Sequence, residues 1–463
     1  MSKEKENKSW GIFLLLLGIA IGIYVNDHIP SNKTLNGKNK MDEILSYIQE
    51  NYVDTLNMEK TQDKAIEALL QQLDPHSTYI PASELQSVNE DLEGNFEGIG
   101  VEFRILNDTV VVLNVISDGP SEKAGLHDGD RIIKVDDKNI AGISIKNNDV
   151  MKLLKGEGGT KVKVTVFRKA VGKALSYDIT RGKIPIYSIT ASYMVDKEIG
   201  YVLIDRFAAT THDEFIAAVD KLQDQGMKKL IIDVRNNPGG YLETAVDILD
   251  EMIDGEKMLV YTEGKNRKRQ SYKSSKRGIL ENTPIAVLIN ESSASAAEIL
   301  AGALQDWDRA DIIGRRSFGK GLVQEQTNIN DGSAIRLTVA RYYIPSGRCI
   351  QKSYSDGTEK YSEDLLDREN HGELFSKDSI KVDSSKTYKT AKGKEVYGGG
   401  GIIPDYFIPL DTSNTSSYLS HLYAMNCFSD FSYGYAEDNL GKLKKYSSAS
   451  DFAMNYKIGR AHV

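Results

Sequence analysis

Cysteine is almost absent from this chain. Cys349 and Cys427 are the only two in 463 residues, so no disulfide framework is indicated and no Cys-x-x-Cys pair is present. There is no His-Glu-x-x-His zinc motif and no Gly-x-Ser-x-Gly elbow, and the seven histidines are scattered. A basic excess is missing too: a net charge of −8 argues against the positive face that a phosphate backbone requires, so nucleic acid is not an expected partner. Gly314-Arg315-Arg316-Ser317-Phe318-Gly319-Lys320 matches most of a phosphate-binding loop, but Gly321 stands where a Mg²⁺-ligating Ser or Thr is needed. The Walker-B-like run Leu230-Ile231-Ile232-Asp233 also precedes that segment instead of following it. With 40% apolar and 27% charged residues, the chain is an ordinary globular one, long enough for two to four domains.

What is present is a serine and a lysine in suggestive settings. Ser295 lies in Ser293-Ala294-Ser295-Ala296-Ala297-Glu298, Lys320 in Phe318-Gly319-Lys320-Gly321, and Gln324 follows the lysine by four residues. A serine hydroxyl is a poor nucleophile until a base takes its proton, and a lysine amine serves only when neutral. Bringing a lysine from about 10.4 to about 7.5 requires roughly 4 kcal/mol of destabilisation of the cation. Burial against Ile312, Ile313, Phe318, Leu322 and Val323 can supply it. Gln324 can then orient the amine without adding charge. Ser295-x-x-Glu298 ahead of Ile299 to Leu304 also fits a helix capping box, and the readings are compatible. A serine at a helix N-terminus sets the Ala296 N–H and the positive dipole end beside any oxyanion formed on attack. A third segment, Asp233-Val234-Arg235-Asn236-Asn237-Pro238-Gly239-Gly240, follows an apolar strand, and its two glycines can present backbone N–H groups.

These three segments resemble the carboxyl-terminal processing peptidases, or tail-specific proteases, a Ser-Lys family carrying a PDZ domain; the resemblance runs from about Met41 to Leu410. It implies that Ser295 is the nucleophile, that Lys320, 25 positions later (320 − 295), is the base, and that Gln324 holds the lysine. It further implies an oxyanion hole of backbone N–H groups from Ala296 and from the Gly239-Gly240 turn, leaving open which glycine donates. No metal or organic cofactor is implied. Ala297 stands where the family commonly has serine, a departure beside the nucleophile. The implied fold is α/β and multidomain: a small helical N-terminal domain, a PDZ β-domain, and an α/β spiral peptidase core related to the crotonase and Clp folds.

The organisation expected along the chain is as follows. Residues 1–28 carry Lys3, Lys5 and Lys8 ahead of sixteen residues, Trp10 to Val25, rich in apolar side chains. That is shorter than the roughly 20 needed to span, yet no Ala-x-Ala site or lipobox cysteine follows, so an uncleaved signal anchor is expected. The catalytic part would then lie on the periplasmic or extracellular face. Residues 29–92 show helical spacing, ending near an Asp74-Pro75-His76-Ser77 stretch read as a structural corner. Residues 93–183 alternate as strands and resemble a PDZ domain whose carboxylate-binding loop is Gly98-Ile99-Gly100-Val101. Residues 184–350 read as the peptidase core, 351–397 as a polar, exposed insertion, 398–412 as a flexible return to the core and 413–457 as an incomplete C-terminal region. Residues 458–463 match what a sequencing adapter would encode and are expected to be an artefact. The reading is an exported, membrane-tethered serine endopeptidase that takes proteins or peptides by their free C-termini and cuts upstream, with homo-oligomerisation left open. The alternative is a catalytically silent peptide-binding scaffold.

Overall fold

The computed structural model describes residues 18, 39–169, 171–275, 278–413 and 415–456. The segment expected to be an anchor (Gly18 apart), the first residues of the expected helical region and the 458–463 segment lie outside them. Among the described residues, no helix is long and apolar enough to cross a membrane. The chain divides into two units, Met1–Leu69 and Leu70–Val463.

The first unit holds one helix and all but the last two residues of a second. Lys40–Asn51 begins at Asn39, whose side-chain oxygen accepts from the Met41 N–H at 3.1 Å, and Met58–Gln71 begins beside Asn57, which accepts from Lys60 N–H at 3.0 Å. The spacing of Met41, Ile44 and Ile48 predicts the first of these.

In the second unit, strands Val101–Leu106, Thr109–Val115, Arg131–Val135, Lys161–Arg168 and Lys173–Thr180 form an antiparallel sheet in that spatial order. The Lys-Val-Lys-Val-Thr-Val run buries its valines, Val162, Val164 and Val166, against Val110, Val112 and Ile132, as a period of two dictates. Helices Pro120–Ala124 and Asn147–Leu154 close this core. Val101–Leu106 is an edge strand, and the chain enters and leaves through a ribbon pairing Asn95–Gly98 with Gly182–Pro185.

The other half of the unit is built on a sheet ordered Ile189–Met194, Ile199–Ile204, Lys229–Asp233, Ile285–Ile289, Ala310–Gly314, Tyr406–Phe407, parallel except at its first pair. A second sheet centres on Ala334–Tyr343, flanked by Thr78–Ile80, Leu322–Asn328 and Met258–Gly264. Helix Ala296–Asp306 is buried along its entire length. Its neighbours come so close that a Cβ on Gly302 would lie 2.7 Å from Ile344 Cδ1.

Two of the expected segments are tied to the core. The polar stretch after residue 351 is exposed over most of its length, but its helix Thr358–Asn370 buries Tyr361 and Arg368. Arg368 donates to the carbonyls of Ser317 and Arg316 at 3.1 and 2.6 Å, and Arg316 pairs with Glu373 at 2.7 Å, so its charges are internally matched. The Gly398–Gly401 segment is likewise tied, with Gly399 and Gly401 N–H donating to Cys349 and Ile350 carbonyls at 2.8 and 2.9 Å. Helix Cys427–Leu443 pairs with the antiparallel sheet, Glu437 taking Arg131 at 2.9 Å and Asp430 taking Arg104 at 3.1 Å. Both cysteines are free.

Candidate active site

Ser295 stands at the N-terminal end of the buried helix with φ 56° and ψ −116°, a conformation that side-chain-bearing residues avoid at a cost of about 1–3 kcal/mol. The surrounding structure holds it there. Asn237 is wholly buried and works at three atoms: its carbonyl accepts from Ala294 N–H at 2.9 Å, its Nδ2 donates to Ile204 O at 2.7 Å, and its Oδ1 accepts from Gly239 N–H at 2.8 Å. The Asn-Pro-Gly-Gly turn is thereby fastened to the serine loop. Gly239 has φ 101°, and a Cβ on it would fall 2.6 Å from Ser295 Cβ.

The two expected chemical groups are joined through their backbones. Glu298, the fourth residue of the apparent capping box, accepts at Oε2 from both Ser295 N–H (2.9 Å) and Lys320 N–H (2.8 Å). Its Oε1 accepts from Gly319 N–H at 2.7 Å and from the Ser317 hydroxyl. Burial pushes this carboxyl up to about 7 against the pull of four donors. From the other side the Tyr342 hydroxyl shares its proton between Lys320 O at 2.6 Å and Ser295 O at 3.1 Å. A carboxylate and a phenol thus clamp the serine and lysine segments together. The sequence shows Glu298 only as a helix cap and gives no sign of Tyr342.

Lys320 is held below the usual lysine range, first by burial and then by the Arg336 cation, while Glu298 and Asp74 oppose the shift. Ser295, Lys320, Gln324, Gly239 and Gly240 line one cleft of about 760 Å³, with Arg336 on its wall. A second cleft of about 340 Å³ shares Gly240, Ser295 and Gln324 and continues over Ile299, Leu322 and Val323. The Gly240 and Ala296 N–H groups have no partner among the described residues, whereas Gly239 N–H is committed to Asn237.

The Asp74-Pro75-His76-Ser77 corner lies against this site. Asp74 accepts from the Thr338 hydroxyl at 3.0 Å, and Gln324 Nε2 donates to that same hydroxyl at 3.3 Å. Burial, with Lys320 nearby, lowers His76 to about 4, and its Nε2 lies 2.8 Å from the Tyr361 hydroxyl.

Gly98, Ile99, Gly100 and Val101 line neither cleft. They sit where the ribbon meets the edge strand. Gly100 has φ 75°, and a Cβ there would lie 2.8 Å from Ile184 Cδ1. The Ile99 and Gly100 carbonyls are taken by Ser121 and Ile116 N–H groups at 2.9 and 3.1 Å, while their own N–H groups have no partner among the described residues.

The sequence profile of Peptidase family S41 matches residues 198–360, and that of the PDZ domain matches 98–179. The carboxy-terminal processing protease CtpA of Bacillus subtilis (strain 168) is 33% identical over 351 residues, 73% of this chain and 74% of that protein. The carboxy-terminal-processing protease of Bartonella bacilliformis is 36% identical over 349 residues, 74% of this chain and 78% of its own. Among solved structures, a photosystem II D1 C-terminal processing protease is 28% identical, covering 81% of this chain and 88% of its own, with a TM-score of 0.41.

Proposed function

Since this chain belongs to the carboxy-terminal processing protease family, in which an S41 peptidase core is joined to a PDZ domain, we propose that it is a serine endopeptidase in which Ser295 attacks and Lys320 accepts the proton. The observation that carries this reading is the double clamp: Glu298 and Tyr342 bind the backbones on either side of one cleft that both side chains line. The depressed affinity of Lys320 for its proton supports a neutral amine as base. Gln324 orients that amine. Of the backbone donors, Ala296 and Gly240 are available to an oxyanion, and Gly239 serves to let the turn approach the serine. Once protonated, Lys320 delivers the proton to the departing amine, and water, deprotonated by the same group, hydrolyses the acyl-enzyme.

The PDZ domain supplies the substrate preference. Unpartnered N–H groups at Ile99 and Gly100 suit a terminal carboxylate, and the adjoining Val101–Leu106 edge accepts the tail as an added strand. Substrates are therefore proteins with free C-termini. Export, with an anchor at residues 10–25, completes the proposal and rests on their composition alone.

Purified wild type, Ser295→Ala and Lys320→Ala are to be compared on a peptide ending in a free carboxylate and on its amide. Each substitution should reduce kcat by at least about 10³-fold with circular dichroism unchanged. Turnover retained in either variant overturns the assignment.

A further inference from the structure

Asp74, Thr338 and Gln324 come from distant parts of the chain, yet they meet in a single row of hydrogen bonds. Asp74 is 6% exposed, and its carboxylate is only an acceptor. Its Oδ1 takes the backbone N–H of His76 at 2.8 Å and of Ser77 at 2.9 Å, its Oδ2 takes the Ser77 hydroxyl, and Oδ1 also takes the Thr338 hydroxyl at 3.0 Å. Ser77 Oγ in turn accepts from Thr338 N–H at 3.1 Å, fixing the strand to the corner.

A hydroxyl carries one proton. With that proton given to Asp74, Thr338 Oγ1 faces Gln324 only as an acceptor, and the Gln324 side-chain atom at 3.3 Å must be the amide nitrogen. Were the amide reversed, two oxygens would face each other with no proton between them. The pairing is built into the strands: Val323 lies opposite Ala340 but Gln324 opposite Thr338, so Val339 is an extra, bulged residue. Without the bulge, Gln324 would face Val339. Gln324 and Lys320 line the Ser295 cleft and Thr338 does not; with the amide nitrogen taken by Thr338, the Gln324 carbonyl oxygen is left without a hydrogen-bond partner among the described residues.

We propose that Asp74, through the Thr338 hydroxyl, sets the polarity of the Gln324 amide so that its oxygen receives a proton of the Lys320 amine, making Asp74 and Thr338 positioning residues of the peptidase. A neutral amine with one N–H held by Gln324 Oε1 has its lone pair directed elsewhere, toward the serine hydroxyl. With the amide reversed, Gln324 would offer N–H groups to that lone pair and compete with Ser295. The inference rests on the Ser-Lys reading.

The test uses the full chain with a free-acid peptide. Thr338→Val keeps the shape but removes the hydroxyl, and should lower kcat by about 10–100-fold at unchanged KM; Thr338→Ser should restore most of it. Since no charge changes, the pH at which activity rises should stay in place. Asp74→Asn should lower kcat similarly and also move that rise to lower pH, because a charge favouring protonated Lys320 is lost. The other groups facing Lys320 remain: Arg336 from the strand, Glu298 from the helix and a neutral His76 from the corner. In a Gln324→Ala background, Thr338→Val should have little further effect, since the amide it acts through is gone.

A Thr338→Val kcat within about twofold of wild type, or full additivity with Gln324→Ala, overturns the proposal. If Thr338→Val does not fold, Thr338→Ala takes its place in the same cycle. Should Lys320→Ala retain turnover, the Ser-Lys reading itself fails; an inactive Lys320→Ala beside a fully active Thr338→Val sinks only the positioning role.

Discussion

Replacing Glu298 by glutamine perturbs the joint between serine and lysine with almost no change of shape. The carboxylate accepts two backbone N–H groups at Oε2, from Ser295 and Lys320, and at Oε1 one backbone N–H, from Gly319, and the Ser317 hydroxyl. A glutamine has only one accepting end. Its NH₂ cannot face two fixed N–H groups, so it must turn toward Ser317 and Gly319, leaving Gly319 N–H buried without a partner and depriving the buried Ser317 hydroxyl, which already accepts from Ile402 N–H, of the acceptor for its proton. Each orphaned donor costs about 1–3 kcal/mol. For a domain of this size that lowers Tm by roughly 2–4 °C per kcal/mol. Glu298→Ala orphans all four donors, about 4–12 kcal/mol, comparable with the whole stability of a typical domain, about 5–15 kcal/mol. Glu298→Gln should therefore fold and cleave with a lowered Tm, and Glu298→Ala should lose the native peptidase core. The charge removed also favours protonated Lys320, so above about pH 7, where Glu298 is ionised, the glutamine variant should reach full activity at lower pH than wild type. Calorimetry together with kcat against pH measures both effects. Glu298→Ala melting at the wild-type temperature would refute the reasoning.

Three further outcomes are expected. Arg336 holds the Lys320 proton affinity down, so Arg336→Gln should move the rise of activity to higher pH, read from kcat/KM profiles; an unmoved profile removes Arg336 from the electrostatics of the base. Gly239→Ala should cut kcat by at least about 100-fold, since its Cβ would fall 2.6 Å from that of Ser295, and peptide binding by the PDZ domain, followed by fluorescence polarisation, should be unaffected. Gly100→Ala should weaken binding of a free-acid peptide by about tenfold or more and of its amide far less, because φ is 75° and Ile184 occupies the Cβ position; equal losses for both would show that the loop does not read the carboxylate.

Local structure was legible in the sequence and the long-range contacts that support the site were not. Ser295-x-x-Glu298 announces a helix start, and the alternating lysines and valines of 161–166 announce a strand. Burial of the helix on all sides follows from its Ala-Ala-Glu-Ile-Leu-Ala-Gly-Ala-Leu sequence. Nothing local connects Asp74 with Thr338, which is 264 residues away, because a side-chain hydrogen bond across such a distance leaves no periodic trace. The bulge at Val339, which brings Gln324 opposite Thr338, is equally silent in an unbroken strand pattern. The claim of Asn237 on Gly239 N–H distinguishes two adjacent glycines that the sequence leaves equivalent. Composition misled in the stretch after residue 351, since Arg368 and Glu373 read as solvated charges and are buried partners at 2.8 Å.

The claim that Lys320 is the base for Ser295 is tested most directly by the rate at which a fluorophosphonate labels Ser295 as a function of pH, in wild type and in Lys320→Met. Labelling of wild type should rise with pH and level off well below the ordinary lysine value of 10.5, while Lys320→Met should label at least about 100-fold more slowly and without that rise. A methionine variant labelled at the wild-type rate with the same pH profile would contradict the account.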